Sequence, residues 1–426
     1  MSTSKAIYAD FRTRIFEVLD ASAISGMDRQ QLTGQIEGAV GVLANNYPSP
    51  VPAVMRAGLV KNLVDELVGL GPLQPLMEDD SITDIMVNGV NDIFFERGGR
   101  LHRSELSFVN DQQLVEIAQR IASRVGRRVD ESSPMVDARL DDGSRVNIVL
   151  KPIALDGTTI SIRKFREQKI GLEDMVKYGT LSEPMARVLM IAARCRLNVV
   201  ISGGTGSGKT TLLNALSQYI AEDERILTIE DAAELRMMQP HVVRLETRAP
   251  SVENTGAITQ RSLVINALRM RPDRIILGEC RGPEAFEMLQ AMNTGHDGSM
   301  STLHANSPRD ALARIESMVM MANLNLPLTA IRRTIVSAVH LIVQVSRMRD
   351  GSRKITSISE VVGLEGDNAV MEELFQFHSD EHQAKDKISG EFVSSGLMQR
   401  SVLMKQASYY GLQEELMEAF HSGVPA

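Results

Sequence analysis

Asn198-Val199-Val200-Ile201-Ser202-Gly203-Gly204-Thr205-Gly206-Ser207-Gly208-Lys209-Thr210-Thr211 is the stretch that decides the fold. Its apolar opening reads as a buried strand, and the following Leu212-Leu213-Asn214-Ala215-Leu216 continues as a helix. Between them, Gly203 to Thr210 fit G-x-x-x-x-G-K-[ST] at every position. Gly203, Gly206 and Gly208 allow backbone N–H groups to turn toward phosphate oxygens at the positive end of a helix. Lys209 is a mobile charge able to reach the β and γ phosphates, and the Thr210 hydroxyl is placed to ligate Mg²⁺. Gly204, Thr205, Ser207 and Thr211 complete the loop, so Gly203 to Thr211 is the expected cradle for ATP with Mg²⁺.

Such a loop needs partners on neighbouring strands. Arg274-Ile275-Ile276-Leu277-Gly278-Glu279 is an apolar strand ending in a carboxylate, the position of a Walker B acid. Gly278 stands where many nucleotide hydrolases have Asp, leaving Glu279 to hold the metal or its water. Thr228-Ile229-Glu230-Asp231-Ala232-Ala233-Glu234 brings three carboxylates to the end of another β-type run. Glu230 or Asp231 could position and deprotonate the attacking water. Either could equally serve the dipole of a following helix. The stretch from Gly295 to Asn306 holds His296 and His304 among small polar residues. Two histidines lacking a suitably spaced third ligand argue against a zinc site.

Outward from this centre, residues 181–378 alternate helix and strand, the pattern of an α/β fold with a mostly parallel sheet. Residues 53–166 mix short strands and helices as a smaller α+β domain. Residues 167–180 are polar and poorly periodic, an expected interdomain connector. Residues 1–52 read as a helical appendage closed by the Pro-rich break from Tyr47 to Pro52. Residues 379–426 read as a polar, weakly amphipathic tail. Met318, Met320 and Met321 read as helix core in preference to a contact surface.

The chain has 426 residues with a net charge of −8, which argues against a dominant nucleic-acid surface. The basic cluster Arg120, Arg124, Arg127 and Arg128 reads as a solvated helix end. Cys195 and Cys280 are too few for a disulfide scaffold or a four-cysteine zinc site. No run of about 18 apolar residues spans a membrane, and the start lacks the apolar core of a signal peptide.

Together the glycine loop, Thr228–Leu235, Leu268–Gly282 and Gly295–Asn306 resemble the secretion-ATPase superfamily of type II and type IV secretion and type IV pili. The resemblance extends to Gly71–Gly89 and Arg139–Val149, covering roughly residues 60–378. It implies a RecA-like ATPase domain behind a PAS-like small domain. By the same resemblance Glu230 handles the water, Glu279 organises Mg²⁺, His304 contacts the site and His296 supports it. Arg139, Arg145 and Arg163 become candidates to reach the phosphates. Within the superfamily the tight-adherence (Flp) pilus ATPases look nearest, given the short helical N-terminus and the missing four-cysteine insertion. Their resemblance implies a homohexamer on the cytoplasmic face of the bacterial inner membrane. It would bind ATP and ADP, contact polytopic platform proteins and drive pilus assembly, with retraction also open. The alternatives are a type IV secretion or conjugation ATPase and, further off, a DNA-translocating motor. A nucleotide-binding switch that hydrolyses little is disfavoured by the presence of both Glu230 and Glu279.

Overall fold

The computed structural model describes residues 3–18, 26–165, 170–248, 255–380, 388–397 and 400–421. The chain divides into two compact units, Met1–Arg166 and Glu167–Ala426.

In the first unit, the helices Thr3–Val18, Arg29–Asn45 and Ala53–Val68 share one apolar core around Phe11, Leu32, Ile36 and Leu63. Asp28 starts the second helix through a capping box with Gln31. Residues 1–52 are therefore not an appendage on a linker. Val51, inside the Pro-rich break, is buried, and Pro52 starts the next helix at once from extended backbone. Polar bonds fasten the first helix further. Arg12 Nε donates to Glu66 at 2.6 Å and Nη2 donates to Glu116 at 2.6 Å. Prolines stop a helix, yet they do not say whether the chain then folds back onto it.

Six antiparallel strands follow: β1 (Ile82–Asn88), β2 (Ile93–Arg97), β3 (Arg100–Arg103), β4 (Met135–Arg139), β5 (Arg145–Val149) and β6 (Thr159–Arg163). Their order is β3-β2-β1-β6-β5-β4. The helix Asp111–Arg124, capped by Asn110, packs Leu114, Ile117 and Ile121 into this unit's core.

Among the described residues the second unit has nine strands: β7 (Val199–Gly203), β8 (Ile226–Glu230), β9 (Val242–Glu246), β10 (Arg274–Leu277), β11 (Met300–Leu303), β12 (Leu341–Arg347), β13 (Arg353–Glu365), β14 (Asn368–Ser379) and β15 (Gly390–Ser394). The order is β15-β14-β13-β12-β7-β11-β10-β8-β9, with β12 to β9 parallel and the other pairings antiparallel. Alternation along β7 sends Val199 and Ile201 into one apolar core and Val200 into another, so the strand is buried on both faces.

Two expected boundaries change here. The presumed connector contains the helix Leu172–Lys177, whose Leu172 and Met175 are buried in the second unit's core. Ile355 N also donates to Thr180 O at 2.8 Å. Fewer than two helical turns are too short to show a period. The presumed tail supplies β15 and the helices Val402–Tyr409 and Gln413–His421, with Leu403, Ala407, Leu416 and Phe420 in the same core. Glu360, fully buried, fixes the first of these helices by accepting from Ser401 Oγ (3.1 Å) and Leu403 N (2.7 Å). Met318 is core, as expected, but Met320 and Met321 are exposed. Cys195 and Cys280 are both buried free thiols, pushed up by that burial.

At the amino end of the parallel strands a second set of polar groups closes on itself. Arg274 is buried, and its Nε and Nη2 donate to the two carboxylate oxygens of Glu224, each at 2.6 Å. Its Nη1 donates to Ala193 O at 2.8 Å. Gly298, at φ +85°, leaves room for this guanidinium, since a Cβ there would lie 2.6 Å from Nη1.

Candidate active site

The carboxyl ends of four adjacent parallel strands carry the site, the usual ligand edge of an open α/β sheet. The P-loop follows β7, and the helix Lys209–Ser217 starts at its end. Gly206 and Gly208 adopt φ +69° and +100°, left-handed backbone that favours glycine. Gly203 is required for a different reason. A Cβ there would fall 2.2 Å from Val345 O, because β12 runs directly behind the loop. Lys209 is buried, with Nζ donating to Gly203 O (3.0 Å) and Gly204 O (2.9 Å). Ser207 Oγ donates to Gly204 O at 2.9 Å. Thr210 and Thr211 occupy the first turn of the helix and are half-buried.

Glu230 ends β8. Its Oε1 accepts from the backbone of Glu234 (2.8 Å) and Leu235 (2.9 Å). Its Oε2 is buried and has no hydrogen-bond partner. Burial pushes its carboxyl up to about 7, against the opposing pull of those two N–H groups. The glycine that replaces the usual Asp is explained here. A Cβ on Gly278 would lie 2.8 Å from Glu230 Cγ, so the Walker B strand gives way to the acidic box.

Glu279 has Oε1 2.8 Å from His304 Nε2 and Oε2 2.7 Å from Arg281 Nη2. Burial works to raise its carboxyl, but Arg281, His304 and Lys209 outweigh it and hold it below the ordinary range. Burial and the charge of Lys209 hold the His304 imidazole low, favouring its neutral form. Arg281 Nη1 also reaches Asp231 at 3.3 Å, tying the acidic box to Walker B. Thr302 Oγ1 donates to Gly278 O at 2.7 Å, joining β11 to the same corner.

Nothing separates Glu230 from Asp231 by spacing, but their surroundings do. Glu230 keeps an unpartnered buried oxygen, whereas Asp231 accepts from Thr247 and pairs with Arg281. His296 departs from expectation. It lies before β11, at the amino end, and its Nδ1 is 3.3 Å from Ala291 O, while His304 follows β11. One short strand between them sends the two histidines to opposite edges of the sheet.

Arg139, Arg145 and Arg163 belong to the first unit. Arg139 pairs with Arg145 across β4–β5, and Arg145 with Arg163 across β5–β6. Directly paired residues share a face, so the three form one row across adjacent strands. Sequence reading missed Arg281 and Arg353. Arg353 begins β13, and its Nε donates to Gly206 O at 3.0 Å. For Arg281, the adjacent Glu279 was a signal; for Arg353, far along the chain, there was none.

The residues fit a magnesium nucleotide. Among the described residues no group of three His, Cys, Asp or Glu could hold a metal ion. Mg²⁺ characteristically takes one or two protein ligands and completes its shell with phosphate and water. Thr210 and Glu279 suit that role.

The type II/IV secretion system protein family matches residues 66–391. A candidate conjugal transfer protein of Mycobacterium tuberculosis is 38% identical over 310 residues, covering 71% of this chain and 88% of that protein. The conjugal transfer protein TrbB of Rhizobium radiobacter is 32% identical, covering 76% of this chain and 97% of that one. The type IV secretion system protein VirB11 of Bartonella henselae is 31% identical, covering 68% and 92%. The crystal structure of the VirB11 ATPase from the Brucella suis type IV secretion system, solved with sulphate, is 30% identical. It covers 68% of this chain and 95% of that chain, with a TM-score of 0.36.

Proposed function

We propose that this chain, which belongs to the type II/IV secretion system protein family, is a Mg²⁺-dependent ATP hydrolase of the VirB11/TrbB class. The observation that carries the chemistry is the buried, unpartnered Oε2 of Glu230, raised toward neutrality and set beside the Walker B corner. A carboxylate with such a pKa can take a proton from water near physiological pH. Bound Mg²⁺ would neutralise phosphate charge and orient the terminal phosphate for in-line attack. The chain's own residues do the rest. Lys209 exchanges its loop carbonyls for phosphate oxygens, and Glu279 is held in place by Arg281, with His304 close on its other side. Glu230 orients and deprotonates the water. The guanidinium row of Arg139, Arg145 and Arg163 is a further candidate to stabilise phosphate charge.

The biological output we assign is type IV secretion or conjugation. The relatives reported above favour it over the Flp-pilus reading, which rests on the N-terminal helices and the missing cysteine insertion. A homohexamer bound peripherally at the cytoplasmic face of the bacterial inner membrane, engaging polytopic membrane proteins and not nucleic acid, completes the proposal. No described helix is long and apolar enough to cross a membrane.

Phosphate release by purified protein tests the enzyme, with light scattering for the ring. Lys209→Ala should reduce turnover by at least about 10²-fold with its thermal transition retained. Near-parental turnover in that variant would sink the proposal. Complementation of a conjugation-deficient and a pilus-deficient strain separates the two outputs.

A further inference from the structure

On one face of the adjacent strands β7 and β12, an apolar row turns polar as it nears the site. Val200 and Ile342 are directly paired and share an apolar core. Two residues further along, Ser202 and Gln344 are paired in the same way. Alternation puts residues two apart on one face, so Ser202 and Gln344 continue that row toward the carboxyl ends of the strands. Both are buried, Gln344 being 4% exposed. They converge on one acceptor. Gln344 Nε2 donates to Ala305 O at 3.1 Å, and Ser202 Oγ donates to the same oxygen over a longer 3.5 Å. Ala305 follows His304 beyond the end of β11, in the short loop that leads to the helix Pro308–Met320. His304 Nε2 in turn stands 2.8 Å from Glu279 Oε1.

We propose that Gln344 is a positioning residue for ATP hydrolysis: by gripping Ala305 O it sets the histidine loop where the His304 imidazole meets the Walker B carboxylate. The inference rests on the nucleotide-hydrolase reading above and extends it to a residue outside every nucleotide motif.

Three features separate this role from core packing. The first is a cost. Only the amino end of the Gln344 amide can serve a carbonyl, since its oxygen accepts and cannot donate. That leaves Oε1 buried and, among the described residues, without a hydrogen-bond partner. A buried acceptor left unsatisfied is a penalty that Leu or Met, continuing the row of Ile342, would not carry. The bond to Ala305 is what the glutamine supplies and those residues do not. The second feature is the neighbouring residue. Val345 O lies directly behind the P-loop, so close that a Cβ on Gly203 would fall 2.2 Å from it. Successive residues of one strand therefore touch the two halves of the site, and β12 fixes how His304 stands relative to Lys209. The third feature is electrostatic. Burial and the charge of Lys209 hold the His304 imidazole low, so its state depends on where the loop lies. A loop freed from Gln344 would let the imidazole leave both Lys209 and Glu279. A site group is only as well placed as the bonds that support it from behind.

Steady-state turnover of the full-length protein over a range of ATP concentrations tests this. Gln344→Met keeps the length of the side chain and removes the donor. It should lower kcat about tenfold, as when a supporting bond behind a site ligand is lost, and leave KM for ATP within about twofold. In a His304→Ala background the same substitution should cost less than about twofold, because residues that act as a unit are not additive. Thermal melts confirm that each variant unfolds cooperatively. Gln344→Asn keeps the amide but falls one methylene short of Ala305 O, and it should show the same loss of kcat. It carries the test if Gln344→Met does not fold. Parental kcat in a folded variant overturns the inference, as does a loss confined to KM. An equal loss with and without His304 also overturns it, since Gln344 would then act elsewhere. A parent protein without ATP turnover overturns the hydrolase reading as well.

Discussion

The two ends of the parallel strands in the second unit are both dense in charge, yet they are built on opposite principles. At the amino end Arg274 and Glu224 satisfy each other with two bonds, and Gly298 makes room for the guanidinium. At the carboxyl end Glu230 keeps a buried oxygen with no partner, and Gly278 makes room for that carboxylate. A buried ion pair with all its groups bonded resists change, because removing one partner strands the other. A buried carboxylate with a lone pair to spare is costly to hold and able to react. Glu360 also keeps an unpartnered buried oxygen while it fixes a helix, so what marks Glu230 is that oxygen together with its place beside the Walker B strand, at the edge of the sheet that carries the P-loop.

That contrast can be broken most severely at Glu230. Glu230→Gln should lower phosphate release by at least about 10²-fold, within the range for a lost general base. It should also stabilise the nucleotide-free protein at high pH. The folded carboxyl titrates near 7 against an ordinary 4.5, so the folded state holds the extra proton between those values. Stability of the parent therefore falls as pH rises through that window. The variant's melting temperature should exceed the parent's at pH 8 and converge on it near pH 4.5. An equal gap at both pH values would refute the assigned titration.

The amino end should behave inversely. Arg274→Ala should cost about 3–5 kcal/mol in denaturant unfolding, the cost of stranding a buried partner. Turnover per folded molecule should stay near parental, and a preferential loss of turnover would erase the distinction between the ends.

Gly278→Ala tests the space left for Glu230. The added methyl should cost about 1–3 kcal/mol by overpacking. Displacing the carboxylate should lower kcat by up to about 10²-fold, since small misplacements of a catalytic group are expensive. Full kcat would mean that Glu230 needs no such room.

The smallest effect is expected at His296. His296→Ala should change turnover less than about twofold, while His304→Ala should reduce it about tenfold or more through loss of the imidazole beside Glu279. Equal losses would bring His296 back into the site.

Much of the carboxyl end was legible because motif chemistry is local. Glycine spacing around Lys209 and the apolar run before Glu279 each imply their own turn or strand. What could not be read depends on neighbours brought together by strand order. Asp231 and Arg281 meet only because β8 and β10 pair, and Gly278 becomes necessary only when Glu230 lies beside it. The separation of His296 from His304 was hidden by their closeness in sequence, although a strand runs between them. The helices at both chain extremes were visible as amphipathic segments, but periodicity reports that a face is apolar and not what covers it. Glu66 receives the first helix and Glu360 receives Leu403, both through bonds that no local pattern announces.

The helix Gln413–His421 packs against the helix Glu183–Arg194, and Phe420 stacks on Phe375 at 5.1 Å. The helix pair joins segments near the two sequence extremes of the second unit, a strongly non-local contact. Loop-closure entropy must be overcome before such contacts stabilise anything, which slows folding. Until the closing helix arrives, Phe375 and the apolar side of Glu183–Arg194 lack their cover, so incompletely folded chains carry an aggregation-prone surface. The P-loop thus belongs to a unit whose completion is timed by residues far from it in sequence.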